Sequence, residues 1–238
     1  MRAMLYVLAV LALPVPQDES QGDKGPEPMY RLARSLASAS QRADALATLE
    51  RAFQAGLERP ERALLEPDFV DLRPGRAFRE LLREHLRGAQ LRLTAETEEG
   101  EPLVVRGRVV APEGDAPLAG ARIYVYHTDW KGSYGPGGSD LPRIFGYLRT
   151  DEEGRFELRT IRPASYPESD VPQHVHYTLE AEGRRSVTSE VVFADDPKLR
   201  GEILEEARRE GVTIAEPERD EEGVARCEVL LRAGSEVD

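Results

Sequence analysis

Cysteine is almost absent from this 238-residue sequence, in which Cys227 is the only one. A single cysteine excludes an intramolecular disulfide and a cysteine-based zinc site. Because Cys227 falls in the last predicted strand, we interpret it as a small buried apolar side chain.

Long apolar runs are also missing. The most apolar stretch, Leu5–Leu13, has nine residues and is too short to span a bilayer. It follows the short positive region Met1–Met4 and precedes a polar break, a pattern that predicts an export signal over residues 1–16 and a secreted or periplasmic protein. A buried N-terminal strand is the alternative. No cysteine follows the run, so a lipoprotein anchor is not indicated.

Positive charge is in the minority. The sequence has 32 Lys and Arg against 44 Asp and Glu, a formal net charge of -12. This balance argues against nucleic acid and anionic membranes as partners. It also offers no long-range attraction to an anionic aromatic acid, so a substrate carboxylate would need a local cation. The oligomeric state is left open.

The first third of the chain predicts helices. Residues 17–29 are polar and rich in Asp, Glu, Gly and Pro, which indicates a linker. Helical periodicity follows in Tyr30–Leu57 and again in Arg76–Arg87, with Gly88 as a plausible C-cap. We interpret residues 30–90 as a small helical module packed beside the main domain, loosely similar to the helical tail of tetratricopeptide arrays.

Residues 91–238 predict a mainly β fold. Hydrophobic side chains there recur with a period of two, so that Ile123, Val125 and His127 share one face of a strand. Short strands separated by turn signals, with one helix over Pro197–Glu210, predict an antiparallel β-sandwich. The predicted strands include Leu103–Val110, Ala121–His127, His174–Ala181, Val187–Phe193 and Gly223–Leu231.

Four side chains suggest a metal site. His174 and His176 are one residue apart on a predicted strand, which places both imidazoles on one face. Tyr166 lies on a Pro-bounded turn eight positions before His174, and Tyr134 lies in a glycine-rich loop. Two phenols and two imidazoles suit ferric iron best, because this hard cation can hold phenolate deprotonated near neutral pH. We therefore expect the four donor atoms to lie within about 5 Å of one point.

Residues 107–197 resemble the catalytic domain of the intradiol ring-cleavage dioxygenases, the protocatechuate 3,4-dioxygenase and catechol 1,2-dioxygenase family. Each matching segment is short, and their shared order carries the resemblance. The segments are Gly107–Val110, Pro117–Arg122, Val125–Asp129, Gly132–Tyr134, Thr150–Phe156, Arg159–Pro163, Tyr166–Pro167, His174–His176 and Phe193–Pro197.

The resemblance implies a role for each of the four side chains. Tyr134 and His174 match equatorial ligands of Fe(III), and Tyr166 and His176 match the axial pair. It further implies that a catechol-type substrate binds as a dianion, displaces the Tyr166 phenolate and reacts with O2. The ring would then open between its two hydroxyl-bearing carbons to give a muconic-acid-type product.

Two positions depart from the family pattern. Val171 stands where the family usually has an arginine, and valine cannot stabilise developing negative charge. Glu190 stands where glutamine is usual, and an ionised carboxylate accepts hydrogen bonds but donates none. Arg143, Arg149 or Arg162 could supply a cation from elsewhere, although surface charges or ion-pair partners are the plainer interpretation.

Two further points bear on the site and its activity. His127 and Asp129 flank the loop of Tyr134 and could orient a ligand, yet the apolar face under His127 favours a hydrogen-bonded core histidine. The segments Gly107–Val125 and Thr150–Leu158 also resemble prealbumin-like modules of extracellular proteins. A non-catalytic binding module is therefore the alternative hypothesis: the four retained ligand positions favour the enzyme, and Val171 favours the module.

Overall fold

The computed structural model describes residues 25–237. The expected export signal and residues 17–24 of the expected linker lie outside this range. Within it, no helix has the length and apolar character needed to cross a membrane.

The first helix begins earlier than the sequence pattern predicts. Helix α1 spans Pro26–Ser38, with Pro in the first turn, where its missing N–H removes no helical hydrogen bond. The predicted linker 17–29 therefore ends before Pro26. Helix α2 spans Arg42–Gln54, and Ser40, with a φ of 61°, separates the two helices that the periodicity had joined.

Helix α3 spans Arg76–His85, close to the prediction. Its C-cap is Leu86, whose backbone is extended, so Gly88 is not the cap. Short three-ten helices at Pro60–Leu64 and Pro67–Phe69 connect α2 to α3.

The remainder of the chain forms a sandwich of two five-stranded sheets, which confirms the mainly β fold. Sheet A has the order β1-β5-β2-β10-β9, and sheet B the order β4-β3-β6-β7-β8. The strands are β1 Gln90–Arg92, β2 Pro102–Val110, β3 Arg122–His127, β4 Ile144–Arg149, β5 Arg155–Ile161, β6 His174–Glu180, β7 Val187–Phe193, β8 Thr213–Ala215, β9 Glu218–Arg219 and β10 Ala225–Arg232. Helix α4, Gly201–Arg209, lies between β7 and β8.

The sheets are mixed rather than purely antiparallel. Strand β1 pairs with β5, β2 with β10, and β7 with β8 in parallel. The prediction of an antiparallel sandwich was wrong in this respect, because alternation within a strand sets its faces but not the direction of its neighbour.

The helical segment and the sandwich share one buried core. Gly146 on β4 has no side chain, and a Cβ there would come within 2.5 Å of the side chains of Leu91 and Leu93 and within 3.4 Å of Leu64. Arg79 of α3 is 6% exposed, donates to the carbonyl oxygen of Pro142 and stacks over the ring of Phe145 at 3.7 Å. The helices therefore pack directly on the sandwich, next to β4. Cys227 is buried, as predicted.

Candidate metal centre

The two histidines lie on the outward face of sheet B. On β6, Val175, Tyr177 and Leu179 point into the core and are at most 4% exposed. His174 and His176 alternate with these residues and therefore share the opposite face. The strand pattern thus provides two imidazoles side by side on a rigid element.

The two tyrosines come from loops that are tied to each other. Thr128 Oγ1 donates to the carbonyl oxygen of Ala164 at 2.7 Å, and Ala164 N donates to that of Asp129 at 3.1 Å. Gly132 has a φ of +80°, and a Cβ there would lie 2.1 Å from the carbonyl oxygen of Ser165. Only glycine fits this close approach, which brings the loop of Tyr134 onto the loop of Tyr166.

Asp129 shapes the loop that carries Tyr134. Its Oδ1 accepts hydrogen bonds from the backbone N–H groups of Lys131 at 2.9 Å and Ser133 at 3.0 Å. The role of Asp129 is therefore to close the turn, as aspartate commonly does, rather than to contact the four donors directly.

The four predicted donor atoms converge. Tyr134 Oη lies 2.6 Å from Tyr166 Oη and 2.7 Å from His176 Nε2. Tyr166 Oη lies 3.0 Å from His174 Nε2, and the two Nε2 atoms are 3.0 Å apart. Two phenol oxygens and two imidazole nitrogens therefore face one small volume, as the expectation of convergence requires.

The outer nitrogens of both rings fix which nitrogen faces the site. His174 Nδ1 donates to the carbonyl oxygen of Pro172 at 2.7 Å, and His176 Nδ1 lies 3.2 Å from Glu190 Oε1. Since a carbonyl oxygen only accepts, the ring proton of His174 sits on Nδ1, and the nearby Glu190 carboxylate favours the same tautomer for His176. Both Nε2 lone pairs are then free to bind a cation, an arrangement common in histidine metal sites.

The electrostatics favour a neutral His176 imidazole and a protonated Tyr134 phenol as long as the site holds no cation. Burial, with a smaller contribution from His174, lowers the pKa of His176 to about 4. Burial and the hydrogen bond to Tyr166 raise the pKa of Tyr134 far above its usual range. A phenol in this environment ionises only beside a strongly charged cation.

The donor set fits iron(III). Anionic phenolate oxygen is a hard ligand, and imidazole also suits iron. The ligand atoms of His174, His176 and Glu190 also lie within 4.8 Å of one another and could form a different group. However, Glu190 is at the Nδ1 side of His176, whereas both tyrosines are at its Nε2 side, so we favour the position that gathers four donors.

The other sequence candidates provide no free cation for the four donors. Val171 is 39% exposed and carries no charge. Arg143 pairs with Glu98 at 2.6 Å, and buried Arg162 donates to Asp195 at 2.7 Å. Arg149 donates to the carbonyl oxygen of Gly120. The three arginines thus act as ion-pair or carbonyl partners, the plainer of the two interpretations.

His127 is a core histidine, as its strand face predicts. It is 0% exposed, donates from Nδ1 to the carbonyl oxygen of Thr128 at 2.6 Å and accepts at Nε2 from Thr160 Oγ1 at 2.7 Å. Both ring nitrogens are satisfied, so His127 has no free donor atom for a metal.

Sequence reasoning missed the contribution of Tyr126 to the site. Tyr126 on β3 is the cross-strand neighbour of His176, and the two rings stack with centroids 4.6 Å apart. The alternation of β3 already placed Tyr126 on the face opposite His127. The sequence alone does not give the register between β3 and β6, which places the Tyr126 ring against the imidazole of His176.

Comparison with known proteins links this site to one enzyme family. A family model described as Dioxygenase (Dioxygenase_C) matches residues 75–230, which include the four donors and Glu190. Catechol 1,2-dioxygenase 2 of Acinetobacter lwoffii is 31% identical over 126 residues, 45% of this chain and 46% of that protein. Catechol 1,2-dioxygenase of Acinetobacter baylyi is 31% identical over 137 residues, 48% and 43% of the two chains. The chain thus spans less than half the length of these relatives.

A solved structure agrees with the sequence relatives. Catechol 1,2-dioxygenase from Pseudomonas arvilla C-1 superposes with a TM-score of 0.53 at 25% identity, over 64% of this chain and 58% of that one. The superposed share, 64% of this chain, is large enough to include the whole two-sheet sandwich of residues 90–232.

Proposed function

The chain belongs to the intradiol ring-cleavage dioxygenase family, and we propose that it is a non-haem iron(III) enzyme that uses O2 to open an aromatic diol between its two hydroxyl-bearing carbons. The observation that carries this proposal is the convergence of Tyr134, Tyr166, His174 and His176, with adjacent donor atoms 2.6 to 3.0 Å apart. Four donors that face one point form the kind of metal site that this chemistry requires.

Each of the four residues has a distinct part in the proposed site. The ion would be held by Tyr134, His174 and His176. His174 is 4% exposed, and the Nδ1 atom of His176 lies 3.2 Å from Glu190 Oε1. Tyr166 would be the exchangeable ligand, the role that the family resemblance implies for this position. When bound, iron(III) would supply the Lewis acidity that keeps phenol and diol oxygens deprotonated and the electronic coupling between ring and O2.

A leaving Tyr166 would also handle a proton. Its Oη is within hydrogen-bonding distance of Tyr134 Oη and His174 Nε2. A neutral diol that binds as a dianion must lose two protons, and the Tyr166 oxygen is placed to accept one of them. The second proton would pass to solvent, so the site would gain one negative charge when substrate binds.

The proposed substrates are uncharged catechols rather than aromatic acids. Val171 provides no cation, and Arg143, Arg149 and Arg162 are engaged elsewhere. A ring carboxylate would therefore enter a site next to Glu190 without a compensating charge. The proposed place of action is outside the cytoplasm, a point that rests on the N-terminal apolar run alone.

A second function has one observation in its favour. Where relatives usually carry an arginine, the exposed Val171 offers no group to stabilise charge that develops as oxygen reacts. A non-catalytic binding module that keeps the fold, with or without the metal, would not need such a group. The two functions therefore differ in turnover.

The test combines colour with oxygen consumption. The protein is loaded with iron(III), its visible absorption is recorded, and O2 uptake is measured with catechol, hydroxyquinol and protocatechuate. We expect a tyrosinate-to-iron absorption band and slow uptake, faster with catechol and hydroxyquinol than with protocatechuate. His174→Ala should abolish both, and His85→Ala, which alters a histidine beside Phe53 in the helical segment, should keep both.

The possible outcomes separate the two functions. Full iron occupancy and catechol binding without uptake would support the binding module. Absence of iron binding and of colour under all loading conditions would contradict the enzyme and leave a binding module without metal.

A further inference from the structure

Glu190 faces His176 across two strands. It lies on β7 directly opposite His176 on β6, and its Oε1 is 3.2 Å from His176 Nδ1. Among residues 25–237, no lysine or arginine side chain forms an ion pair with this carboxylate, and its neighbour is the neutral His176 ring. The strand register therefore directs the Glu190 side chain toward the Nδ1 side of the His176 ring and not toward a surface arginine or lysine.

The two histidines of the site have different partners behind them. His174 Nδ1 donates to a neutral carbonyl oxygen, that of Pro172, at 2.7 Å. His176 Nδ1 faces an acidic side chain instead. A carboxylate behind a ligating imidazole fixes the ring orientation and raises its basicity more than a neutral acceptor does. The two imidazoles are therefore unequal donors.

Burial strengthens this difference. The side chain of His176 is 16% exposed and that of Glu190 is 37% exposed. Tyr126 covers one face of the His176 ring at a centroid distance of 4.6 Å. Water is thus partly excluded from the Nδ1 side, where a charge acts more strongly than in open solvent.

We propose that Glu190 is a positioning residue that holds the Nδ1–H of His176, fixes Nε2 toward the two tyrosines and makes His176 the more electron-rich imidazole of the site. The orientation of His176 is independent of any metal, whereas the effect on a bound ion rests on the proposed iron site. Glu190 would thereby add negative charge to the surroundings of the metal through its contact with the His176 ligand.

The first test uses the metal-free protein. Nitrogen-15 NMR of the histidine side chains should show a downfield His176 Nδ1–H, as expected for a hydrogen bond to a carboxylate. In Glu190→Gln the amide oxygen can still accept, so the proton should remain visible but shift upfield. In Glu190→Ala it should exchange with solvent and disappear. Glu228→Gln removes the same charge from exposed Glu228 on β10 and should leave the resonance unchanged.

The second test uses iron(III) binding and the visible spectrum. Glu190→Ala should weaken iron affinity by about 10- to 100-fold, the usual cost of losing such a partner. Glu190→Gln should lose less affinity and move the tyrosinate-to-iron band to longer wavelength, because the ion becomes more electron-poor. If Glu190→Gln keeps the orientation of the His176 ring but still shifts the tyrosinate-to-iron band, the effect of the Glu190 charge is distinguished from that of its packing.

Failure of the Glu190 proposal and failure of the proposed function would give different results. An unchanged His176 Nδ1–H resonance in Glu190→Ala would overturn the positioning role. A band at the wild-type wavelength in Glu190→Gln, with iron bound, would overturn the electronic role. A wild-type protein that binds no iron or consumes no O2 would contradict the proposed function, while the NMR result would still decide the pairing of Glu190 with His176.

Discussion

The hydroxyl oxygens of Tyr134 and Tyr166 lie 2.6 Å apart although 32 residues separate them in the chain. At this distance two phenols share a hydrogen bond, but two phenolates would repel each other strongly unless a cation lay between them. Two negative oxygens can therefore stand this close together only beside a highly charged cation.

Replacement of each tyrosine should give a different spectrum. Tyr166→Phe removes the exchangeable ligand and should keep some iron with a shifted visible band. Tyr134→Phe removes the ligand that we assign to permanent binding and should lose most of the colour. The measurement is visible absorption at equal iron loading.

The control for these variants is Tyr147→Phe, which changes a tyrosine on β4 that stacks on Tyr124 at 4.9 Å rather than on the donors. Its spectrum should match that of the wild type. Identical spectra for wild type, Tyr134→Phe and Tyr166→Phe would show that neither phenol binds the metal.

Gly132→Ala should disrupt the contact between the two tyrosine loops. The added Cβ would meet the carbonyl oxygen of Ser165 at 2.1 Å, so the loops must separate and iron affinity should fall. Gly114→Ala is a matched control, because its φ of +78° is nearly the same as that of Gly132 and no atom lies within 4 Å of its Cβ.

Both glycine variants should lose about 1–2 kcal/mol of stability from the left-handed backbone alone. Only Gly132→Ala should lose iron affinity in addition, as measured by chelator competition alongside urea unfolding. Equal iron affinities for the two variants would contradict the role of this close approach in the site.

Val171→Arg should raise turnover. Loss of one charge-stabilising donor typically costs about 10² to 10³ in rate, so its introduction should increase kcat for catechol by up to roughly 100-fold. Position 171 is close to the site because Pro172, the next residue, accepts the hydrogen bond of His174. Oxygen uptake by iron-loaded protein measures the effect.

Val70→Arg is the control for added charge, since Val70 is 57% exposed and lies in the helical segment. It should leave turnover unchanged. If Val171→Arg binds iron and catechol yet consumes no more O2 than the wild type, the binding-module hypothesis gains support.

The metal-free protein should lose stability as the pH falls from about 6.5 to about 4. Burial lowers the pKa of His127 from 6.5 to about 4, so the unfolded chain binds this proton first. Stability is complete above the unfolded pKa and declines by about 1.4 kcal/mol per pH unit for one such group. Urea unfolding across this range, compared with His127→Gln, should show a slope smaller by about one proton in the variant. Parallel curves would indicate that His127 titrates normally in the folded state.

The sequence predicted much of sheet B because side chains along its strands alternate between the core and the outward face. The alternation in β6 placed His174 and His176 together, and that of β3 placed His127 in the core. Strand β4 was missed, since Ile144, Phe145 and Gly146 are all buried and give no alternating pattern. The helix break at Ser40 was also missed, because a single residue with positive φ leaves the surrounding periodicity intact.

The convergence of the four donors could not be derived from local pattern. Tyr134 and Tyr166 meet through backbone contacts between loops far apart in sequence, such as that of Ala164 with Asp129. The expectation that they meet came from the chemistry of the four side chains and from the family resemblance, not from local pattern. The pairing of Glu190 with His176 depends on the register of β6 and β7, which the sequence suggests but does not fix.

The packing of α3 on β4 limits how this chain can be recombined with its relatives. Arg79 supplies a hydrogen bond to Pro142 and a cation over Phe145, both of which belong to the sandwich. A hybrid that takes residues 25–90 from a relative without a matching arginine would leave that carbonyl oxygen unsatisfied and that ring uncovered. Exchange of the helical segment should therefore succeed only when residues 142 to 146 are exchanged with it.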